Sequence, residues 1–345
     1  MGGSPTGGTA GDVLCPFAFA SAAELAERVD EHVLGWTGRI GLFPGQADEV
    51  SAFHLGTFAA MVHPDARNED RLRLAAENIA AAFGIDDHYC DEEIEGATPE
   101  RAGARLAGVL NALETQPGSG TDRHVERSVR GDPVTAAVRE VVRHASTVAS
   151  PAQLGRLRRE TTAMCLAMAG EKSWQTTGYT PTPSEYLAQR RFNGAISCFA
   201  LIDVVAGYEL PAPTYDDPDV RALTLAASSL IIHVNDLYSA AKESATGSDA
   251  YNLPALLAIH HGWPVERGIR ETIAIHNRGM RRYLRQERTV ARTASPELSR
   301  YLGGLRNWMR GSLEWHRISG RHHNRDSRPA TEENAPSSVD SSPLA

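Results

Sequence analysis

Only four cysteines occur in the 345 residues, Cys15, Cys90, Cys165 and Cys198, and no two form a Cys-x-x-Cys pair. A structural zinc site and a disulfide framework are therefore not expected, and a reducing compartment is. Basic charge is also short: 35 Lys and Arg against 43 Asp and Glu leave a net charge of −8. A protein that grips a phosphate backbone needs a basic stripe, so no nucleic-acid partner is expected. No uninterrupted apolar run approaches the 18 or so residues of a membrane span, so no membrane partner is expected either. The opening "MGGSPTGGTAGDVLC" lacks the basic start and apolar stretch of a secretion signal, and a cytoplasmic protein is the expectation. Alternating Val/Ile/Thr runs punctuated by hairpin turns are missing, as are internal repeats and long low-complexity linkers, which leaves one mostly helical domain.

Helical periodicity fills what remains. In "SAAELAERVDEHVLGW", Ser21 and Glu24 have capping-box spacing, and Leu25, Val29, Val33 and Trp36 follow at helical intervals. "EDRLRLAAENIAAAFGIDD" repeats the pattern through Leu72, Ala75, Ala76, Ile79, Ala80 and Phe83. "PERAGARL", "DPVTAAVRE", "SPAQLGRL" and "WPVERGIRE" put proline at helix entry, where its missing N–H costs little. "CFALIDVVAGYELP" is the one ambiguous stretch. About ten helices around one apolar centre make an all-α, single-domain bundle over residues 15–323. Residues 1–14 read as a flexible N-terminus and 324–345 as a disordered tail, too poor in apolar side chains to offset their ordering entropy.

Two polar clusters interrupt this pattern. In "FGIDDHYCDEE", Asp87 and Asp91 are four apart and Asp86 is adjacent, at the C-terminal end of an apolar helix. Carboxylates there oppose the helix dipole at about 0.3–1 kcal/mol each, a cost that nearby cations would remove. A solvated acidic helix end is the plain alternative. "YDDPDVRA" also pairs aspartates, but Pro218 follows them, so Asp216, Asp217 and Asp219 read as a turn and N-cap without chemistry. The second cluster, "HVNDLYSAAKESA", follows the apolar run "LTLAASSLII" and spaces Asn235, Ser239 and Glu243 at i, i+4 and i+8. Those positions drift by only about 80° around a helix, so amide, hydroxyl and carboxylate share one stripe. Such oxygens suit Mg²⁺ completed by a substrate phosphate, with Lys242 beside them as a point charge.

"NDLYSAAKE" resembles the (N/D)Dxx(S/T)xxxE signature of class I terpene synthases, and "DDHYCDE" resembles their aspartate-rich motif, in the same order and about 150 residues earlier. The resemblance covers roughly residues 15–323. It implies a helical bundle in which the two motifs, as metal ligands Asp86, Asp87, Asp91, Asn235, Ser239 and Glu243, hold three Mg²⁺ ions against a prenyl diphosphate. "YLAQRRFNG" is similar to the family's diphosphate-sensing segment, which implies Arg190 as sensor, Asn193 as linker and the Gly194 carbonyl as effector, with Arg191 as the fallback sensor. "SGRHH" resembles the segment ending in Arg-Tyr, which implies Arg321 and, in place of the usual Tyr, His322 at the diphosphate beside Lys242. "RIGLFPGQ", "MVHPDARNEDRL" and "ALIDVVAGYELP" are most similar to the 2-methylisoborneol and 2-methylenebornane-forming group. That likeness implies 2-methylgeranyl diphosphate as substrate, a C11 bornane-type product, and functional pairing with a methyltransferase that acts on geranyl diphosphate. A homodimer is implied by the family alone.

The chemistry so implied is loss of diphosphate from an allylic carbon, with positive groups neutralising the leaving charge and an apolar interior that does not trap the cation. Phe83, Tyr89, Phe192, Phe199, Trp308 and Trp315 are the aromatic candidates for that interior, each with plain core packing as its alternative. Trp308 and Trp315 are seven apart and share a helix face. Three other readings stand beside it. A chain-elongating prenyl synthase would carry two aspartate-rich motifs and no Asn-Ser-Glu stripe. A silent prenyl-diphosphate-binding protein of the same fold would be expected to have lost ligands. A mono- or sesquiterpene synthase would use plain geranyl or farnesyl diphosphate.

Overall fold

Small polar side chains followed by proline start many of the helices. The structure, a computed structural model, describes residues 13–89, 99–114, 124, 126–127, 131–246 and 252–320, with only the backbone described for 99–100, 176 and 241–246. Among the described residues there are fifteen α-helices and no strand: α1 (Ala23–Ile40), α2 (Ala47–Phe53), α3 (Leu55–Val62), α4 (Glu69–Tyr89), α5 (Pro99–Glu114), α6 (Pro133–Val148), α7 (Pro151–Thr177), α8 (Pro183–Arg190), α9 (Ile196–Phe199), α10 (Ile202–Val205), α11 (Ala212–Tyr215), α12 (Pro218–Thr246), α13 (Leu253–His261), α14 (Val265–Val290) and α15 (Pro296–Ile318). Asp132 caps α6 by accepting from the N–H groups of Val134 and Thr135. Ser150 with Gln153 and Thr182 with Glu185 form capping boxes on α7 and α8, each followed by proline. Asp217 accepts from the N–H groups of Asp219 and Val220 at 3.0 and 3.3 Å, so it is the helix cap that the sequence leads one to expect.

The start of α1 differs from expectation. Its N-cap is Ala22, with no side-chain cap bond, so Ser21 and Glu24 do not close a capping box. The Ala22 N–H is instead taken at 3.1 Å by the Ala60 carbonyl of α3, a tertiary bond that settles where the helix begins. Of the expected loose ends, residues 1–12 and 324–345 lie outside the described residues. Leu14 is pinned: its N–H donates to Asn277 Oδ1 at 2.7 Å and its carbonyl accepts from His276 Nε2 at 3.2 Å.

Three packing relations position the site. Helix α4 lies against α1, α3 and α6, α12 lies against α13, α14 and α15, and α15 closes the bundle against α3. The α3–α15 crossing depends on Gly311, where an added Cβ would stand 2.5 Å from the Met61 carbonyl oxygen. The ambiguous "CFALIDVVAGYELP" is a helix broken into the single turns α9 and α10. Buried Asp203 accepts from Arg156 Nη1 at 3.0 Å and from the Leu210 N–H at 2.8 Å, which compensates its desolvation. No described helix is long and apolar enough to cross a membrane.

Candidate active site

Helix α4 ends in one polar cluster and α12 carries the other, and Arg190 lies in range of both, which marks the rim of the candidate site. Asp86 and Asp87 lie half-buried in the last turn of α4, and Asn235 and Ser239 lie half-buried on α12. Asp91, Arg321 and His322 fall outside the described residues, as do the side chains of Lys242 and Glu243, although α12 runs through both positions.

Arg190, the last residue of α8, stands between the clusters. Its Nη2 donates to Asn235 Oδ1 at 3.4 Å, its Nη1 to the Asn193 carbonyl at 3.4 Å, and its Nε to the Tyr186 hydroxyl at 3.2 Å. Glu171 and Asp236 carboxylates stand 4.0 Å away. Burial works against the guanidinium's charge, but the fields of Tyr186, Glu171, Asp236 and Asp86 hold its pKa well above the usual arginine value. Arg190 is therefore a permanent cation, bonded to one cluster and in the field of the other. The fallback is not in this position: the Arg191 guanidinium lies 5.8 Å from the Phe192 ring centre, and burial lowers its pKa.

Sequence reasoning missed the layer beneath. Asp236, next to Asn235, is only 1% exposed and accepts from the Tyr186 hydroxyl at 2.9 and 3.0 Å and from the Leu253 N–H at 3.2 Å. Burial pushes its pKa up to about 6, against the pull of Arg190, the Leu253 N–H and Tyr186. His316 was also missed. Its Nδ1 is 2.7 Å from the Ser312 carbonyl, which can only accept, so Nδ1 carries the proton in the neutral ring. Nε2 then accepts from Asn235 Nδ2 at 3.3 Å, which turns Asn235 Oδ1 toward Arg190. The adjacency of Asp236 to Asn235 and the i,i+4 relation of Tyr186 to Arg190 were the available signals.

The chain breaks helix after Arg190. Asn193 Nδ2 donates to Glu171 at 2.5 Å and Ser228 Oγ donates to the Arg191 carbonyl at 2.9 Å, so α7 and α12 both grip the break. Gly194 lies against α12: an added Cβ would stand 2.7 Å from Ile232 and 3.2 Å from Ser228 Oγ. A residue without a side chain is what allows that approach.

The aromatic candidates separate into two groups. Phe83 meets Trp315 at 5.8 Å, and Phe58, which sequence reasoning overlooked, stacks on Trp315 at 4.3 Å and meets Trp308 edge-on at 5.7 Å. Phe199 meets Trp308 at 5.5 Å, so α3, α4, α9 and α15 share one aromatic interior, and Trp308 and Trp315 do lie on one face. Phe192 stands half-buried beneath Arg191 instead. Tyr89 is a correction. Its hydroxyl donates to Asp132 at 2.8 Å and Arg105 covers its ring at 5.4 Å, so it faces α5 and α6 as an anchor for the end of α4. Burial and the Asp132 carboxylate push its pKa well up.

Among the described residues no three His, Cys, Asp or Glu side chains form a metal cluster. What the rim offers is carboxylate from Asp86 and Asp87, amide from Asn235 and hydroxyl from Ser239. An all-oxygen, partly buried set of this kind fits a hard cation such as Mg²⁺ and not a thiophilic metal.

Residues 77–282 match the family model described as terpene synthase family 2, C-terminal metal binding. The 2-methylisoborneol synthase of Streptomyces griseus is 31% identical over 296 residues, 83% of this chain and 66% of that protein. The chain spans just under two thirds of that relative's length and 60% of its Streptomyces lasalocidi counterpart's. The 4-epi-cubebol synthase of Streptosporangium roseum, described as cyclising (2E,6E)-farnesyl diphosphate, is 27% identical and covers 87% of this chain and 88% of its own. Among solved structures, 2-methylisoborneol synthase from Streptomyces coelicolor A3(2) in complex with Mg²⁺ and 2-fluoroneryl diphosphate superposes with a TM-score of 0.85 at 26% identity, covering 92% of this chain and 98% of that one.

Proposed function

The chain belongs to the terpene synthase family, and from that premise we propose that it is a class I cyclase, which ionises an allylic prenyl diphosphate and cyclises the cation. The observation that carries the proposal is Arg190, bonded to Asn235 of one motif and in the field of Asp86 of the other. A guanidinium between two oxygen-rich rims is where a diphosphate would dock. Its present bonds to Asn235 and Asn193 are long, at 3.4 Å, and run to neutral oxygens. A phosphate group adds an opposite charge and can be gripped by two parallel N–H groups, so substrate would draw Arg190 away from both. Because Arg190 also bonds the Asn193 carbonyl, that movement would carry to Gly194 and the break, as expected of sensor, linker and effector.

Asp86, Asp87, Asp91, Asn235, Ser239 and Glu243 would hold Mg²⁺, with Lys242, Arg321 and His322 on the diphosphate. Bound Mg²⁺ supplies neutralisation of the charge that gathers on the leaving diphosphate. Asp236 and Tyr186 position Arg190 from below. Phe58, Phe83, Phe199, Trp308 and Trp315 would present ring faces to the cation, at about 0.5–2 kcal/mol per contact, and keep bulk solvent from it. Three metal ions and a homodimer are part of this reading.

The substrate we infer is 2-methylgeranyl diphosphate, cyclised to 2-methylisoborneol or a related C11 bornane-type product, with a geranyl diphosphate methyltransferase supplying it. Similarity to the 2-methylisoborneol synthases supports this. Similarity to the farnesyl-diphosphate-cyclising relative favours a second reading as a mono- or sesquiterpene synthase. The test is incubation of the purified protein with Mg²⁺ and, separately, geranyl, 2-methylgeranyl and farnesyl diphosphates, with analysis of the volatiles. No terpenoid from any of them refutes the cyclase; preference for farnesyl diphosphate refutes the C11 assignment.

A further inference from the structure

Two polar atoms are stranded within the aromatic interior. Trp308 Nε1 and His63 Nε2 are buried without a hydrogen-bond partner among the described residues. Their residues are 2% and 6% exposed, and the two rings meet edge-on with centres 5.5 Å apart. Phe58 and Phe199 flank Trp308 at 5.7 and 5.5 Å. A buried polar atom left unbonded costs about 1–3 kcal/mol, and two polar atoms on rings in contact are the minimum set that retains one water molecule.

We propose that His63 and Trp308 hold a water molecule at the inner end of the aromatic interior and deliver it to the last carbocation, so that the product leaves as an alcohol. This rests on the cyclase reading above. The indole N–H donates to the water oxygen, and His63 Nε2 accepts one of its hydrogens. One lone pair is then left to face the cation. Burial lowers the His63 pKa to about 3, so its ring is neutral near pH 7, and the tautomer with the proton on Nδ1 is the one that offers Nε2 as acceptor.

Position supplies the timing. On α15, Trp308 lies eight residues from His316, which bonds Asn235 at the rim; at 1.5 Å per residue that is about 12 Å. Water held there is remote from the carbon that loses diphosphate and meets the cation only after the chain has folded inward. The lone pair forms the C–O bond, and the resulting oxonium gives its proton to His63 Nε2. Cation, water and imidazole thus become neutral alcohol and imidazolium. An alkyl oxonium is a far stronger acid than the His63 imidazolium, so even this weak base suffices, and it releases the proton to solvent once the product has left.

The experiment uses the full chain with Mg²⁺ and 2-methylgeranyl or geranyl diphosphate in ¹⁸O-labelled water, reading the alcohol-to-hydrocarbon ratio. The parent should give labelled alcohol. In His63→Phe the ratio should fall by about tenfold, the worth of one lost hydrogen bond to the water. His63→Gln keeps an acceptor and should recover most of the alcohol, whereas Trp308→Phe should lower the ratio. If His63→Phe does not fold, the Gln and Trp308→Phe variants carry the comparison. An unchanged ratio in the variants, an equal fall of alcohol and hydrocarbon, or a parent that makes only hydrocarbon overturns the water site while leaving the cyclase standing. Absence of any turnover by the parent overturns both.

Discussion

Tyr186→Phe removes one oxygen atom from the layer beneath Arg190. That oxygen donates to Asp236 at 2.9 and 3.0 Å and accepts from Arg190 Nε at 3.2 Å. Tyr186 and Asp236 are 0% and 1% exposed, so solvent does not take its place. A hydrogen bond to a charged group contributes about 1.5–3 kcal/mol, and Asp236 would keep only the Leu253 N–H and the more distant Arg190. In a chain this long about 2 °C accompanies each kcal/mol, so the melting temperature should fall by about 3–6 °C. A second effect follows from charge. The Asp236 pKa is already about 6 in the fold against an ordinary 3.8, and Tyr186 is one of the groups holding it down. A raised carboxyl pKa means that the native state holds the proton more tightly than the unfolded chain. Stability from this group is thus present at acid pH and is lost as pH rises from about 4 to about 6, a span worth about 3 kcal/mol. Without Tyr186 the loss should continue to higher pH. Because charged Asp236 positions Arg190, the acid limb of turnover should move to higher pH as well. Melting curves and rates from pH 5 to 8 check this; wild-type melting together with an unmoved acid limb would refute the role assigned to Tyr186 and Asp236.

Gly194→Ala puts a methyl group into Ile232 and should cost about 1–3 kcal/mol in melting stability, with a loss of turnover as the break is pushed off α12. Glu77 accepts from His32 and His144 at 2.7 Å each. Burial alone would raise the Glu77 pKa, but the His144 and His32 bonds hold it below the usual value, while Glu77 raises that of His144 in spite of burial. The glutamate contribution is present above about pH 4.5 and the histidine contribution below about pH 6.5. Glu77→Gln should therefore lower the melting temperature most between those limits, and the deficit should shrink toward alkaline pH. Tyr89→Phe should lower stability by about 1–2 kcal/mol through loss of the Asp132 bond, with an unaltered product profile; a changed profile would return Tyr89 to the interior.

The helices and the registers of the two oxygen clusters were legible along the chain, because both are local. A 3.6-residue period and proline or capping side chains at helix entry define α4 and α12 without knowledge of what they touch. Asn235 and Ser239 share a stripe on any helix that includes them. Tertiary structure decided which groups surround that stripe. Tyr186 meets Asp236 across 50 residues of chain, and His316 meets Asn235 across 81. Tyr89 and Phe83 belong to the same helix and period, yet one turns to Asp132 and the other to Trp315. Ser21 lost its cap to a carbonyl 38 residues beyond Ala22. The physical reason is the same in each case: periodicity assigns a direction around a helix axis, while the worth of a side chain depends on the partner it meets when distant segments pack.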